Sequence, residues 1–323
     1  MVKKIFIVTG SAGFIGFHLS LKLLKKGYQV IGIDNLNNYY DHRLKIDRLT
    51  ILKKKKLIFY KINLTNKSQL EKLFKKFKFS IIINLAAQAG VRNSITNPKS
   101  YFKSNLEGFF NIIEFSRKYN IKHLLSASSS SVYGDTNSFP LNENMKTEKP
   151  LSFYAATKKS NEIMAYSYSN IYKMPITMMR FFTVYGEYGR PDMALFKFTK
   201  AIMEDKTIDL YNNGKHYRDF TYVKDTVDGI VRLIENPSHK KIPYRVINIG
   251  KGKAESLKEY LKLIEKFLKK EALVNKLPLQ KGDVIKTLSS IKKIKILTNY
   301  NPKVGIKEGV KLFIQWYKKY YKC

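Results

Sequence analysis

The sequence has few of the residues that several classes of protein require. Its single cysteine, Cys323, is the last of 323 residues, which leaves no partner for a disulfide and no Cys-based metal site. No apolar run reaches the roughly 18 residues that cross a membrane, because Gly, polar or charged residues interrupt each one. The apolar stretch that ends before Thr9 is too short for a signal peptide. We therefore expect a cytoplasmic protein with no metal site and no membrane segment.

Acidic residues are also scarce. The chain has 25 Asp and Glu against 60 Lys and Arg, a formal net charge of +35. Cationic surfaces bind nucleic acid by releasing counterions, but here the lysines are scattered, the tightest run is only 53–56, and no nucleic-acid-binding motif accompanies them. We expect no nucleic-acid partner, and a positive field that attracts an anionic substrate. A charge-driven nucleic-acid binder remains the alternative.

The first half of the chain alternates between strand-like and helical stretches. Apolar residues make up 44% of the sequence, enough for a real core and too many for a disordered chain. The strand-like runs are apolar almost throughout, as in parallel strands buried on both faces. The predicted strands lie at 3–9, 29–34, 57–62, 81–85 and 123–127, and the predicted helices at 13–26, 67–77 and 99–119.

A glycine-rich turn links the first strand to the first helix. Gly10, Gly13 and Gly16 form a G-x-x-G-x-x-G pattern, which lets the backbone and the helix N-terminus approach a pyrophosphate. The second strand ends at Asp34, whose carboxylate suits a ribose hydroxyl and repels a 2′-phosphate. The pattern predicts an α/β fold with a Rossmann-type doubly wound parallel sheet that binds NAD.

The regularity weakens beyond about residue 185, although a helix at 225–235 and a strand at 245–249 still look like parts of the sheet. With about 150 residues per domain, the length suggests two domains. We predict a NAD-binding domain over 1–184, completed by about 221–250. The segments 185–220 and 251–323 would form a smaller C-terminal α/β substrate lobe.

A second pattern carries acid–base chemistry. Tyr154 and Lys158 are four residues apart, on one face of a predicted helix. A nearby ammonium and the positive nicotinamide ring would lower the phenol pKa from about 10. The serine run 128–131 directly follows a predicted strand, where ligands of parallel sheets bind. A helix-surface pair and a flexible polar loop are the alternatives for these two features.

Together these motifs resemble the extended short-chain dehydrogenase/reductases, and within them the UDP-glucuronate 4-epimerases. The similarity runs nearly from end to end. The matching stretches are GIDNLNNYYD (32–41), LAAQAGVR (85–92), SFYAATKK (152–159), RFFTVYG (180–186), GRPDMALF (189–196) and RDFTYV (218–223).

The resemblance implies a redox cycle at sugar carbon C4. Tyr154 would remove the C4 hydroxyl proton while hydride passes to NAD, and after the keto sugar turns over, hydride would return to its opposite face. Lys158 would hold the nicotinamide ribose, and Ser129 and Ser130 would position the 4-oxygen. Related dehydratases and decarboxylases have an acidic residue where this chain has Ser131, which favours epimerisation.

The resemblance also implies a binding site for an anionic nucleotide sugar. Thr183, which is Asn in epimerases of neutral sugars, would hold the uronate carboxylate, and Arg190 would be part of the site for the anionic substrate. Arg218 and Asp283 would contact UDP, with Arg92 near the substrate. The implied cofactor-binding residues are Gly10, Gly13, Phe14, Ile15, Gly16, Asp34, Asn35, Asn63, Leu64, Leu85, Ala86, Ala87, Asn105, Tyr154 and Lys158.

The sequence departs from the family pattern near this site. Asn63 replaces the usual Asp near the adenine amino group, Glu187-Tyr188 replaces Pro-Trp, and Lys281 replaces Pro. The resemblance further implies a homodimer formed through helices near 99–119 and 152–172. Two alternatives stay open: an epimerase of another UDP-sugar, such as a UDP-N-acetylhexosamine or its uronate, and a non-catalytic NAD-binding regulator. Such regulators typically lose Tyr or Lys of the pair that this chain retains.

Overall fold

The computed structural model describes residues 4–280 and 282–323, so the first residue of the strand predicted at 3–9 and Lys281 lie outside the described residues. The strands are β1 Ile5–Thr9, β2 Gln29–Asp34, β3 Ile58–Lys61, β4 Ile81–Asn84, β5 His123–Ser129, β6 Ile176–Phe181, β7 Thr183–Tyr185, β8 Ile208–Tyr211, β9 Tyr217–Arg218, β10 Phe220–Tyr222, β11 Tyr244–Ile249, β12 Glu255–Ser256 and β13 Val274–Leu277.

The α-helices cover the sheet and build the second lobe. They are α1 Phe14–Lys25, α2 His42–Lys54, α3 Lys67–Lys76, α4 Asn93–Thr96, α5 Pro98–Tyr101, α6 Gly108–Lys118, α7 Phe153–Tyr172, α8 Ala194–Met203, α9 Val223–Ile234, α10 Leu257–Leu268, α11 Lys292–Thr298 and α12 Ile306–Tyr321. None of the helices within the described ranges is long and apolar enough to span a bilayer.

Seven strands form one parallel sheet in the order β11-β6-β5-β4-β1-β2-β3. Successive residues of β1 face opposite sides: Val8 packs in a core with Phe17 of α1, and Ile7 in a core with Ile112 of α6. Apolar side chains on both faces explain why these strands read as continuous apolar runs. The predicted doubly wound α/β sheet is confirmed.

Two elements differ from their predicted bounds. Strand β5 continues to Ser129, so Ser128 and Ser129 are its last two residues rather than a loop after it. The helix predicted over 99–119 is divided into α5, a π-helix at Phe102–Glu107 and α6. A π-turn holds an extra residue without changing the apolar character of the helix, so the sequence pattern does not reveal it.

The chain leaves the sheet after β6 and returns to it at β11, which pairs with β6 from Tyr244↔Ile176 to Ile249↔Phe181. Between and after these strands, α8, α10 and α12 pack around a separate core that includes Phe196, Leu261 and Phe313. The parallel pair β8–β13 lies beside this core. The sheet and this lobe meet above the carboxyl ends of the strands, while the residue boundaries of the two domains stay a prediction.

Candidate active site

A cavity of about 940 Å³ extends from the carboxyl ends of the parallel strands into the second lobe. It is lined by every site residue predicted from the sequence except Asn105. Those lining residues are Gly10, Gly13, Phe14, Ile15, Gly16, Asp34, Asn35, Asn63, Leu64, Leu85, Ala86, Ala87, Arg92, Ser129, Ser130, Tyr154, Lys158, Thr183, Arg190, Arg218 and Asp283.

The glycine turn is shaped by close backbone approach. Gly10 has φ +68°, and a Cβ added there would lie 2.9 Å from the nitrogen of Ala86. A Cβ on Gly16 would lie 2.0 Å from the carbonyl oxygen of Gly10, which only glycine avoids. The turn therefore packs tightly under α1 and leaves the helix N-terminus facing the cavity, an arrangement that suits a pyrophosphate.

Asp34 occupies the end of β2 beside this turn. Its carboxylate accepts hydrogen bonds from the backbone nitrogens of Ala12 (3.2 Å) and Leu36 (2.8 Å). These bonds fix the side chain at the cavity wall, where it can also accept from a ribose hydroxyl. Lys45, which the sequence analysis did not identify, lies nearby and donates to the backbone and side-chain oxygens of Asn37.

Tyr154 and Lys158 belong to the first two turns of α7. Ser152 caps the helix by accepting from the nitrogen of Ala155 at 3.1 Å, and a cap of this kind fixes where the helix starts. The ammonium of Lys158 is buried, and its Nζ donates to the carbonyl oxygen of Ala127 at 2.9 Å. Burial lowers the pKa of Lys158 to about 8.

The phenol of Tyr154 does not behave as the sequence predicts. Burial raises its pKa, whereas the nearby hydroxyl of Ser129 and the charge of Arg190 lower it by a smaller amount. The expected influence of Lys158 on this pKa is not seen, and the ammonium of Lys158 donates to the carbonyl oxygen of Ala127. The predicted lowering of the phenol pKa is therefore not seen in the polypeptide, and the contribution of the nicotinamide ring stays a prediction.

The serine run makes the wall opposite Tyr154. Oγ of Ser129 accepts from the nitrogen of Ser131 at 3.2 Å and donates to Oγ of Ser131 at 3.1 Å. Ser130 begins a short 3-10 turn that ends at Tyr133. The serines are thus held by a strand end and a turn rather than by a flexible loop, and Ser129, Ser130 and Ser131 line the same cavity as Tyr154.

Asn105 has a different position from the one predicted. It is buried in the π-helix, where its amide accepts from the nitrogen of Gln88 (2.8 Å) and donates to the oxygen of Gln88 and to Oγ1 of Thr157 (3.0 Å each). The Asn105 amide thus binds other residues of the protein, and Asn105 does not line the cavity in which a cofactor would lie. It ties the 85–92 loop to α7 instead of facing the cofactor space.

At the end of the cavity beside the second lobe, Arg92 of the 85–92 loop lies close to Arg218 and Asp283. Arg92 forms a 3.1 Å ion pair with Asp283 and lies 4.7 Å over the ring of Tyr211. Nη1 of Arg218 donates to the carbonyl oxygens of its neighbour Tyr217 and of Ile285. Burial lowers the pKa of Arg218, opposed by the charge of Asp283. The two arginines give this end of the cavity a cationic surface suited to a diphosphate.

Arg190 and Thr183 lie between the two halves of the cavity. Thr183 begins β7, and its backbone nitrogen donates to the oxygen of Asp219 at 3.1 Å. Burial lowers the pKa of Arg190, but its ion pair with Asp192 raises it, and the net shift is upward. Asp192 also accepts from the hydroxyl of Tyr39 at 3.2 Å. This pairing takes Nε and Nη2 of Arg190 and leaves Nη1 to meet a ligand.

Sequence reasoning did not identify several other residues that line the cavity. They are Tyr39, Tyr40, Lys45, Lys197, Tyr211 and His216. The two tyrosines belong to the GIDNLNNYYD stretch that had been noted for its resemblance, so a signal for them was present. The others come from segments where no motif marks them.

The chain matches the model of the NAD dependent epimerase/dehydratase family over residues 6–250. It is 48% identical to Protein CapI of Staphylococcus aureus, over 98% of this chain and 99% of that protein. It is 42% identical to the UDP-glucuronate 4-epimerase of Thermodesulfobacterium geofontis, over 97% of this chain and 96% of that one. The crystal structure of UDP-glucuronic acid 4-epimerase from Bacillus cereus with UDP-glucuronic acid and NAD superposes with TM-score 0.91 and 33% identity, covering 98% of this chain and 100% of that one.

Proposed function

This chain belongs to the NAD-dependent epimerase/dehydratase family, and we propose that it interconverts the C4 epimers of a UDP-uronic acid, UDP-glucuronate and UDP-galacturonate. One observation carries the proposal. The same cavity places Tyr154 and Ser129 beside Thr183 and Arg190, so that acid–base groups and groups for a carboxylate share one space.

The cofactor half of the cavity fits NAD. The glycine turn leaves room for a pyrophosphate and no room for a Cβ at Gly10 or Gly16. Asp34 accepts hydrogen bonds at the end of β2 and would repel a 2′-phosphate. NAD supplies, when bound, a hydride acceptor that returns the hydride within the same cycle, so the reaction needs no added reductant.

The proton at the C4 hydroxyl is assigned to Tyr154. Tyr154 lines the cavity together with Ser129, whose hydroxyl would bond the sugar 4-oxygen. Lys158 is assigned to the nicotinamide ribose, held at the end of β5 by the bond to Ala127. Because burial raises the phenol pKa, the phenolate needs positive charge nearby, which Arg190 and the bound oxidised cofactor would supply.

Two features favour return of the hydride over loss of the carboxylate. Ser131 precedes the Val132-Tyr133-Gly134 stretch, so no carboxyl group in this turn can exchange protons with a keto intermediate. A 4-keto uronate is a β-keto acid, which loses CO₂ when the breaking bond aligns with the carbonyl. We assign Thr183 and Nη1 of Arg190 to hold the carboxylate out of that alignment.

We also propose a homodimer. Large apolar side chains are exposed on two elements that the resemblance assigns to the dimer contact: the π-helix and α6 on one side, α7 on the other. They are Phe102, Phe110, Phe153, Ile163 and Tyr166. Light scattering after size exclusion tests this: a mass of twice the chain is expected, and Phe110→Glu with Ile163→Glu should halve it.

Incubation with UDP-glucuronate, without added reductant, tests the proposed reaction. Proton NMR should show UDP-galacturonate approaching equilibrium, with NAD unchanged in amount. Parallel incubations with UDP-glucose and with UDP-N-acetylglucosamine test the alternative substrates. A UDP-pentose, or conversion of only a neutral sugar, would overturn the assignment. A protein that binds NAD and converts none of the three would be the regulator.

A further inference from the structure

A buried ion pair lies behind the candidate active site. Glu162 is in α7, one helical turn after Lys158 and two after Tyr154. Its Oε1 accepts from Oγ of Ser128 (2.7 Å) and Nε of Arg180 (2.8 Å), and its Oε2 accepts from Nη2 of Arg180 (2.7 Å). Both charged side chains are only 3% exposed. This carboxylate therefore joins the catalytic helix to the ends of β5 and β6.

The network continues to the edge of the sheet. The guanidinium of Arg180 lies 4.7 Å from the centre of the Tyr133 ring. The Tyr133 hydroxyl donates to Oδ1 of Asn248, in β11, at 2.7 Å. Tyr133 ends the turn that begins at Ser130, so Arg180 packs against the serine turn while it binds α7. Four elements and the turn are thus linked through one carboxylate–guanidinium pair.

Stability is a weak explanation for such a pair. Removing two charges from water is expensive, and apolar residues of similar volume often replace a buried ion pair with no loss of stability. Nη1 of Arg180 is buried without a hydrogen-bond partner within the described part of the chain, a further cost. What the pair supplies and apolar side chains cannot is direction, because its three short hydrogen bonds fix α7 in one position along the strands.

We propose that Glu162 and Arg180 are positioning residues that hold α7 so that Tyr154 and Lys158 face Ser129 and the end of β5. Neither side chain lines the cavity, so they act through Ser128 and the helix rather than on the substrate. Ser128 is adjacent to Ser129 in β5, and its bond to Glu162 passes the placement of the helix to the serine that faces Tyr154.

The decisive variant is the double change Glu162→Met with Arg180→Met, because either change alone removes the main partner of a buried charge and is expected to destabilise the fold. We expect the double variant to keep its melting temperature and its NAD affinity. Its kcat for the proposed epimerisation should fall about tenfold to a hundredfold with KM nearly unchanged, since small misplacements of catalytic groups act on the chemical step. Ser128→Ala should give a smaller loss of kcat.

Arg43→Met is the matched control. Arg43 makes the same two-bond contact with a carboxylate, Asp41, but on the surface, so its loss should change neither kcat nor stability. If the double methionine variant is stable and has the same kcat as the wild type, the proposal is overturned, because the ion pair would then have only a structural role that methionines can replace.

The turnover measurement rests on the proposed function, so a second measurement is independent of it. Hydrogen exchange followed by mass spectrometry should show faster exchange in the peptides that cover 128–134 and 152–160 of the double variant, and in no others. Unchanged exchange there would also overturn the proposal. If the wild-type protein epimerises nothing, the proposed function fails while the exchange result still decides the role of the pair.

Discussion

Nζ of Lys158 donates a 2.9 Å hydrogen bond to the carbonyl oxygen of Ala127. The bond joins the catalytic helix to β5 two residues before that strand ends, at the level of the serines. The ammonium is oriented along the wall of the cavity, where the ribose of a dinucleotide would meet it.

Tyr154→Phe should leave NAD and UDP affinities within about twofold of the wild type. Turnover of UDP-glucuronate should fall by a factor of about 100 to 10 000, because the group that takes the hydroxyl proton is removed. Calorimetry and NMR progress curves provide the two measurements. Tyr172→Phe, an exposed tyrosine on the same helix, is the control and should be fully active. An active Tyr154→Phe protein would contradict the assigned base.

Lys158→Met should change how stability depends on pH. Because the pKa of Lys158 is lowered to about 8, the unfolded chain holds a proton that the folded chain lacks from there up to about 10.5. In the wild type, the titration of Lys158 therefore makes the free energy of unfolding rise over that pH range, and this rise is absent from the variant, which lacks the ammonium. The free energy of unfolding of Lys158→Met minus that of the wild type should therefore decrease by about 2 to 3 kcal/mol between about pH 7 and pH 10.

Urea unfolding at the two pH values measures this difference, and subtracting the two proteins cancels all other titrations. Lys122→Met, which removes an exposed lysine, should show no such change. A constant difference between Lys158→Met and the wild type would mean that the ammonium is not buried as the structure has it.

Asn63→Asp should strengthen NAD binding by roughly threefold to tenfold, the size of a modest gain in one charge-assisted hydrogen bond. Oδ1 of Asn63 accepts from the nitrogen of Thr65 at 3.2 Å, so the other side-chain atom is an amide that donates. A carboxylate there would accept from the adenine amino group. Calorimetry with NAD measures the gain, and Asn144→Asp, at an exposed position, controls for charge. Equal or weaker binding would rule out this contact.

Thr183 is best tested with two substitutions that differ in one property. Thr183→Ser keeps the hydroxyl and should remain within a few-fold of the wild type. Thr183→Val keeps the shape of the side chain without the hydroxyl. It should lower kcat or release CO₂ with formation of a UDP-pentose, because the carboxylate loses one hydrogen bond, which contributes about 1 to 3 kcal/mol for a charged group. NMR of the products distinguishes these results. If both variants behave as wild type, Thr183 does not hold the carboxylate.

Arg218→Met should raise the KM for the UDP-sugar at least about tenfold, with a small effect on kcat, because a bond to a diphosphate contributes equally to ground and transition states. Initial rates at several substrate concentrations measure both constants. Arg232→Met, on the far helix α9, serves as the control. A change confined to kcat would place Arg218 in the chemistry rather than in nucleotide binding.

Local patterns in the sequence were enough to predict the central sheet and the cofactor turn. The apolar runs of β1, β2 and β4 have one physical cause, burial on both faces, and Gly10 and Gly16 are fixed by contacts within a short segment. The extension of β5 to Ser129 was missed because small polar side chains at a strand end look like the start of a loop.

The missed parts of the site depend on contacts between distant segments. Arg48 is buried and donates to the carbonyl oxygens of Ala12, Tyr188 and Gly189, which links the cofactor turn to a loop that is distant in the sequence. Nothing in the local sequence around an arginine in such a basic chain distinguishes it from a surface residue. The sequence analysis placed Asn105 at the cofactor for a related reason, because its actual partners, Gln88 and Thr157, are brought together only by the fold.

Strand β11 completes the sheet only after the polypeptide has passed through β8, β9, β10 and α9. During synthesis, β6 therefore emerges with one edge unpaired. The peptide groups from Ile176 to Phe181 lack hydrogen-bond partners on that edge until more than sixty further residues have been added. Truncation anywhere between these strands would expose that edge to other chains and favour aggregation. A division of the chain between β6 and β11 would separate the two strands of this edge, and exchange of the second lobe between relatives would have to leave β11 with the sheet.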